Sequence, residues 1–208
     1  PTPGPWPVVA AVVLAAGEST RMGAAKPLLP WPDADSPTTL LEYQVAQLRA
    51  AGAGPIVVVT GDRATKVALA ASKAGAAVIH NADYKSGKAS SVRAGVLATP
   101  EDAAIMIVGA DQPRPAWMLR LLVSAMADGA SVAAPSYDRR RGHPPVFSSP
   151  LRPELLHVDE STFGLRAVIQ RHASEITYVE VSNSLALLNL NTPDDLAAAR
   201  LLFAQPAP

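Results

Sequence analysis

The sequence predicts an α/β protein of three layers, a mostly parallel sheet with helices on both faces, and three observations carry that prediction. Short apolar runs rich in Val, Ile and Ala alternate with helical patterns along the chain, the rhythm of right-handed β-α-β units. Hydrophobic residues make up 49% and charged residues 17%, the balance of a compact domain, while 5% aromatic content leaves the core to Ala, Val and Leu. The 208 residues suffice for one sizeable core and are few for two, so a single domain over 1–208 is expected. Prolines crowd both ends, and 1–7 and 205–208 read as loose tails.

Val8 to Ala15, Pro55 to Thr60, Ala77 to His80, Ala104 to Gly109 and Ser131 to Ala134 are the expected strands. The first is apolar throughout, as a central strand covered on both faces must be. Helices fall between them. Thr38 to Ala51 sets Leu40, Leu41, Val45 and Leu48 on one face, and Ala64 to Ala74, Ser90 to Ala98 and Ala116 to Ala127 follow. After Pro135 the rhythm breaks into Tyr137-Asp138-Arg139-Arg140-Arg141-Gly142-His143-Pro144-Pro145. A short strand at Val146-Phe147, helices near Pro153 to His157 and Gly164 to His172, and a strand near Ile176 to Val181 come next, so that about 136–185 reads as a substrate-side elaboration. Leu187 to Asn191 is expected as a last strand running into a helix, with Thr192 as its cap and Pro193 at its first position. The architecture is Rossmann-like, and in such sheets ligands collect past the carboxyl ends of strands, where Gly17, Asn81 and Asp111 lie.

The segment Leu14-Ala15-Ala16-Gly17-Glu18-Ser19-Thr20-Arg21-Met22-Gly23-Ala24-Ala25-Lys26 joins the first strand to a small-residue loop with two fixed cations. Gly17 and Gly23 let backbone N–H groups approach an anion, and Arg21 and Lys26 can neutralise its charge, as a triphosphate requires. Spacing excludes the Walker A pattern G-x-x-x-x-G-K-[ST], because five residues separate Gly17 from Gly23 and Lys26 comes three later. It also excludes a dinucleotide fingerprint, since Gly52-Ala53-Gly54 runs into Pro55 before a strand. There is no G-x-S-x-G elbow of a serine hydrolase.

This segment resembles the A-A-G-x-S-x-R-M-G-x-x-K-x-L-L signature of the MobA-like nucleotidyltransferases, and within them is most similar to molybdenum cofactor cytidylyltransferases. The resemblance implies a nucleotide-diphospho-sugar transferase-like fold and Mg2+-dependent, in-line transfer of CMP from CTP to a molybdopterin-type cofactor, with pyrophosphate released. It places Leu14, Ala15, Ala16, Gly17, Arg21, Gly23 and Lys26 on the nucleotide, with Arg21, Lys26 and Asp111 as the catalytic set.

Ala104 to Pro113 reads as a buried strand ending on Asp111, a position suited to Mg2+, with a helix cap before Pro113 or Pro115 as the alternative. The family's G-D-x-P segment, here with Ala110 for Gly, assigns it the metal. Asn191 stands where the residue before Thr-Pro supplies the second ligand, a neutral oxygen in place of a carboxylate. Asn189 and Asn191 pull toward the guanylyl branch, whereas Ala16, in L-A-A-G rather than L-A-G-G, points to CTP.

Asn81 to Gly95 resembles the base-recognition segment N-x-x-W/Y…G-x-x-S-S-L-R-A-G, with Tyr84 for Trp and Lys88 where Met is common. That implies base or nucleotide contacts from Asn81, Ser90, Ser91 and Gly95, although Ser90 and Ser91 also fit a plain helix start. Arg141-Gly142-His143-Pro144 resembles R-G-H-P, and Gly164-Leu165-Arg166 resembles G-A-R, which implies acceptor contacts from Arg141, His143 and Arg166. A molybdenum hydroxylase would then be a partner. Other readings stay open: an NAD(P)H-dependent enzyme like the nicotine blue oxidoreductases, which are similar in sequence, a GTP-using guanylyltransferase, and a non-catalytic carrier of the finished cofactor.

Eighteen basic residues balance eighteen acidic ones, so no global field recruits nucleic acid or an anionic membrane. The absence of Cys excludes disulfides, thiolate metal sites and a cysteine nucleophile, and fits a cytoplasmic setting. Val8 to Ala16 is too short to span a bilayer and lacks the flanks of a signal peptide. His80, His157 and His172 lack ligand spacing.

Overall fold

The structure is a computed structural model that describes residues 8–17, 25–61 and 64–204. Its strands are β1 (Val9–Ala15), β2 (Ile56–Thr60), β3 (Ala77–His80), β4 (Ala104–Gly109), β5 (Val132–Tyr137), β6 (Arg140–Arg141), β7 (Val146–Phe147) and β8 (Ile176–Glu180). Among the described residues they form one sheet in the order β3-β2-β1-β4-β7-β5-β6, with β8 alongside β5. β1 pairs in parallel with β2 and β4, β2 with β3, and β5 with β8. β7 runs antiparallel between β4 and β5. The helices are α1 (Leu40–Ala50), α2 (Ala64–Lys73), α3 (Lys88–Leu97), α4 (Ala116–Ala127), α5 (Arg152–Leu156), α6 (Leu165–Arg171) and α7 (Pro193–Phe203).

Alternation along β1 builds both halves of the core, because successive side chains point to opposite faces of a sheet. Val9, Ala11, Val13 and Ala15 join Leu41, Val45 and Leu48 of α1, Val67 and Ala71 of α2, and Leu119 and Leu122 of α4. Val12 joins the other face, with Val92 and Val96 of α3, Leu155 of α5 and Val168 of α6. A third cluster docks α7: the Trp31 and Phe203 rings meet edge-on at 4.8 Å, with Tyr43 alongside. No helix among the described residues is long and apolar enough to cross a membrane.

Three elements differ from expectation. β5 continues past Ala134 to Tyr137 because Asp138 and Arg139, both with left-handed φ (49° and 58°), turn the chain so that β6 pairs back on it. α3 begins at Lys88, not Ser90, after Gly87 at φ 115°. The strand expected at Leu187 to Asn191 is instead a 3-10 turn, Ser184–Leu187, followed by extended chain. It is held by scattered contacts and not by a strand ladder: the Leu190 N–H donates to the Asp111 carbonyl at 2.8 Å, Arg114 donates to the Ala186 and Leu188 carbonyls, and Gln112 Nε2 donates to Asn189 Oδ1 at 2.7 Å. The tails expected at 1–7 and 205–208 lie outside the described residues.

Candidate active site

From β1 the chain steps outward to β2 and β3, then returns to place β4 on the other side of β1. The strand order therefore switches between β1 and β4, where a crevice opens at the carboxyl ends. A cavity of about 560 Å³ lies there, lined by Leu14 to Gly17, Lys26, Lys85, Lys88, Ser91 and Gly109 to Asp111, among others. Among the described residues three lysines and one carboxylate line this wall, a local excess of positive charge on a chain with none overall. Arg21 and Gly23 lie outside the described residues.

Lys26 opens a short 3-10 helix with Pro27 behind it, and its Nζ donates to Asp111 Oδ2 and to Asn191 Oδ1, each at 3.2 Å. Residues 85 and 165 positions away in sequence thus meet on one ammonium. The backbones that carry the two oxygens are each fixed by another residue. The Leu190 N–H donates to the Asp111 carbonyl at 2.8 Å, and the Asn191 N–H donates to Asp195 Oδ2 at 2.9 Å. Asp195 also completes the capping box of α7 with Thr192, as the Thr-Pro pattern predicts, so helix start and site share one carboxylate. Asp111 caps no helix: α4 follows Pro115, and the Ala116 N–H is taken by Gln47 Oε1 at 2.8 Å.

The base segment divides in a way the sequence does not show. Asn81 is buried, and its Nδ2 donates to Ser90 Oγ at 2.8 Å and Ser91 Oγ at 3.0 Å. Ser90 in turn donates to the Asp83 and Gly87 carbonyls, so its hydroxyl is spent inside the protein. Of this trio Ser91 lines the cavity. Gly95 belongs to the helix–sheet interface, where an added Cβ would come within 2.2 Å of Val12 Cγ1. Among the described residues nothing would meet a Cβ at Gly17.

The three acceptor candidates do not line this cavity. Arg141 sits on β6 and Arg166 is exposed on α6. His143 is half-buried, its carbonyl accepting from Arg114 Nε at 2.9 Å and its N–H donating to the Ala186 carbonyl at 2.9 Å. Burial, and then the cations Arg114, Lys88 and Arg141, push the ring down to about 4, so at neutral pH it contributes no positive charge.

Arg114 itself escapes notice in the sequence, which offers only a lone cation between two prolines. It is 1% exposed and donates to the carbonyls of Pro113, His143, Ala186 and Leu188. Glu160 is likewise unforeseen: its carboxylate accepts from the Ala89 N–H at 2.6 Å and lies against Gly87, tying the 160–162 turn to the start of α3. Gln112 links the end of β4 to Asn189 by accepting from the Gly109 N–H at 3.1 Å.

Comparison with known proteins gives the family and the fold. The MobA-like NTP transferase domain matches residues 11–176. Molybdenum cofactor cytidylyltransferase of Escherichia coli (strain K12) is 28% identical over 196 residues, covering 93% of this chain and 96% of that protein. Nicotine blue oxidoreductase of Paenarthrobacter nicotinovorans is 30% identical over 198 residues, covering 91% and 95%. Among solved structures, a nucleotidyl transferase from Methanothermobacter thermautotroptrophicus (Mth528) matches with a TM-score of 0.79 at 27% identity, over 94% of this chain and 97% of that one. On a match that spans most of its length, the chain belongs to the MobA-like NTP transferase family and is a nucleotidyltransferase.

Proposed function

We propose that the protein transfers CMP from CTP to a molybdopterin-type acceptor, releasing pyrophosphate, and that the product serves a molybdenum hydroxylase. The observation that carries this reading is the meeting of Lys26, Asp111 and Asn191 at the β1/β4 switch, beside Ala15 to Gly17 on the cavity wall. Lys26, Lys85 and Lys88 supply the charge that a triphosphate needs, and Ser91 offers a hydroxyl at the cavity wall. Likeness to the cytidylyltransferase named above favours CTP and a pterin acceptor. The pull of Asn189 toward GTP weakens in its surroundings. Its amide is engaged by Gln112 and the Leu187 carbonyl, which makes it a brace.

The donor set fits Mg2+. Asp111 and Asn191 offer hard oxygens, and this ion is commonly held by one or two carboxylates plus substrate phosphates and water. Substrate phosphates and water would complete the shell around the two side-chain oxygens. Bound there, Mg2+ would offset charge on the triphosphate and on the departing pyrophosphate. The chain's own part is placement: the backbone at the end of β1 receives the triphosphate, the lysines neutralise it, and the acceptor phosphate is oriented for attack on the α-phosphorus.

Calorimetric titration with CTP, GTP, ATP and NADPH, with and without Mg2+, tests the reading. Expected are a Mg2+-dependent preference for CTP, pyrophosphate release on adding molybdopterin, and a loss of transfer on the order of 10²-fold or more in Asp111→Ala. GTP preference would move the protein to guanylyl transfer. NADPH preference with no metal effect would overturn the proposal in favour of reduction, the reading that likeness to nicotine blue oxidoreductase supports. Binding of finished cofactor without pyrophosphate release would mark a carrier.

A further inference from the structure

We infer that Lys26 acts as a competing cation that keeps the nucleotide-free protein from holding a divalent metal, so that metal enters together with the triphosphate. The inference rests on the reading of Asp111 and Asn191 as the metal pair. The same two oxygens that would ligate the ion each accept from the Lys26 ammonium at 3.2 Å. That ammonium is not a solvated surface charge, since its side chain is 13% exposed.

Leu190 and Asp195 fix the backbone of Asp111 and Asn191 without the lysine. Lys26 therefore occupies two donors carried on a backbone that other contacts set. Among the described residues, the ammonium sits against one carboxylate and one neutral amide and so offsets the negative charge that Asp111 would offer a free metal ion. A carboxylate at 191 would add a second. A triphosphate changes the balance: it offers anionic oxygens to the ammonium, whose flexible stem can swing to them, and the same oxygens bring or complete the metal's shell. Lysine thus has two stations, on the ligand pair when the cavity lacks nucleotide and on phosphate when it is filled.

The inference predicts that deleting the cation improves metal binding. Mn2+ alone, followed by the loss of its free-ion electron paramagnetic resonance signal, is titrated into wild-type protein, K26M and K26A, with circular dichroism confirming the fold. Wild type should bind Mn2+ weakly and gain at least about tenfold when CTP is present, and both variants should bind Mn2+ alone at least about tenfold more tightly than wild type. Adding D111N to K26M should abolish the gain. Folded K26M and K26A binding Mn2+ no more tightly than wild type would overturn the inference, as would a gain that survives D111N. The titrations of metal alone contain neither nucleotide nor pterin. An error in the CTP or acceptor assignment therefore leaves their result unchanged and appears only in the nucleotide titration.

Discussion

Arg114 joins the Asp111 turn to the His143 loop and the 186–188 segment, because one buried guanidinium serves carbonyls from three separated stretches of chain. Burial draws its pKa down to about 9 and the nearby Asp111 charge raises it, which leaves it protonated at neutral pH. Arg114→Met strands those carbonyls and should cost about 3 kcal/mol or more in urea unfolding. His143 gives a separate signature. An unfolded histidine protonates near 6.5 whereas this one resists until about 4, so the stability it confers is complete above 6.5 and drains as pH falls toward 4. Between pH 7 and 4.5 wild type should lose about 2 kcal/mol more than His143→Asn, read from unfolding at both pH values. Asp111 was legible in the sequence as a strand-end carboxylate, but neither Arg114 nor the neutrality of His143 was, since both arise from burial that only folding imposes.

At the scale of elements, α7 is both a structural stop and part of the site. Asp195 takes the N–H groups of Asn191 and Thr192, and these contacts hold its own carboxyl below the usual carboxylate range. Asp195→Ala should lower stability by about 1 kcal/mol and also weaken Mg2+-dependent nucleotide binding, measured by thermal melting and calorimetry. A cap that served only its helix would change the first and spare the second. The motif T-P-D-D-L announces this helix start in the sequence. The segment before it misleads, because Leu187 to Leu190 is apolar enough for a strand but finds side-chain partners in Gln112 and Arg114 instead of a free sheet edge. Gly95 misleads in the opposite sense. It lies within a nucleotide-like segment, yet its lack of a side chain serves the packing of α3 on Val12.

Across the whole molecule, local pattern determined the larger part of the fold. The runs that became β1 to β4 and α1 to α4 carry apolar periodicities whose only economical arrangement is a covered parallel sheet, and the loop after β1 signals a phosphate site by its glycines and cations. Tertiary structure decided what such patterns cannot encode: that β7 enters antiparallel between β4 and β5, that Asn81 spends its amide on two serines, and that Lys26, Asp111 and Asn191 converge. The physical reason is range. Strand and helix patterns are set by contacts a few residues apart, whereas the hydrogen bonds that join Lys26 to Asp111 and Asn191 close over 85 and 165 positions and exist only once the fold has brought these segments together.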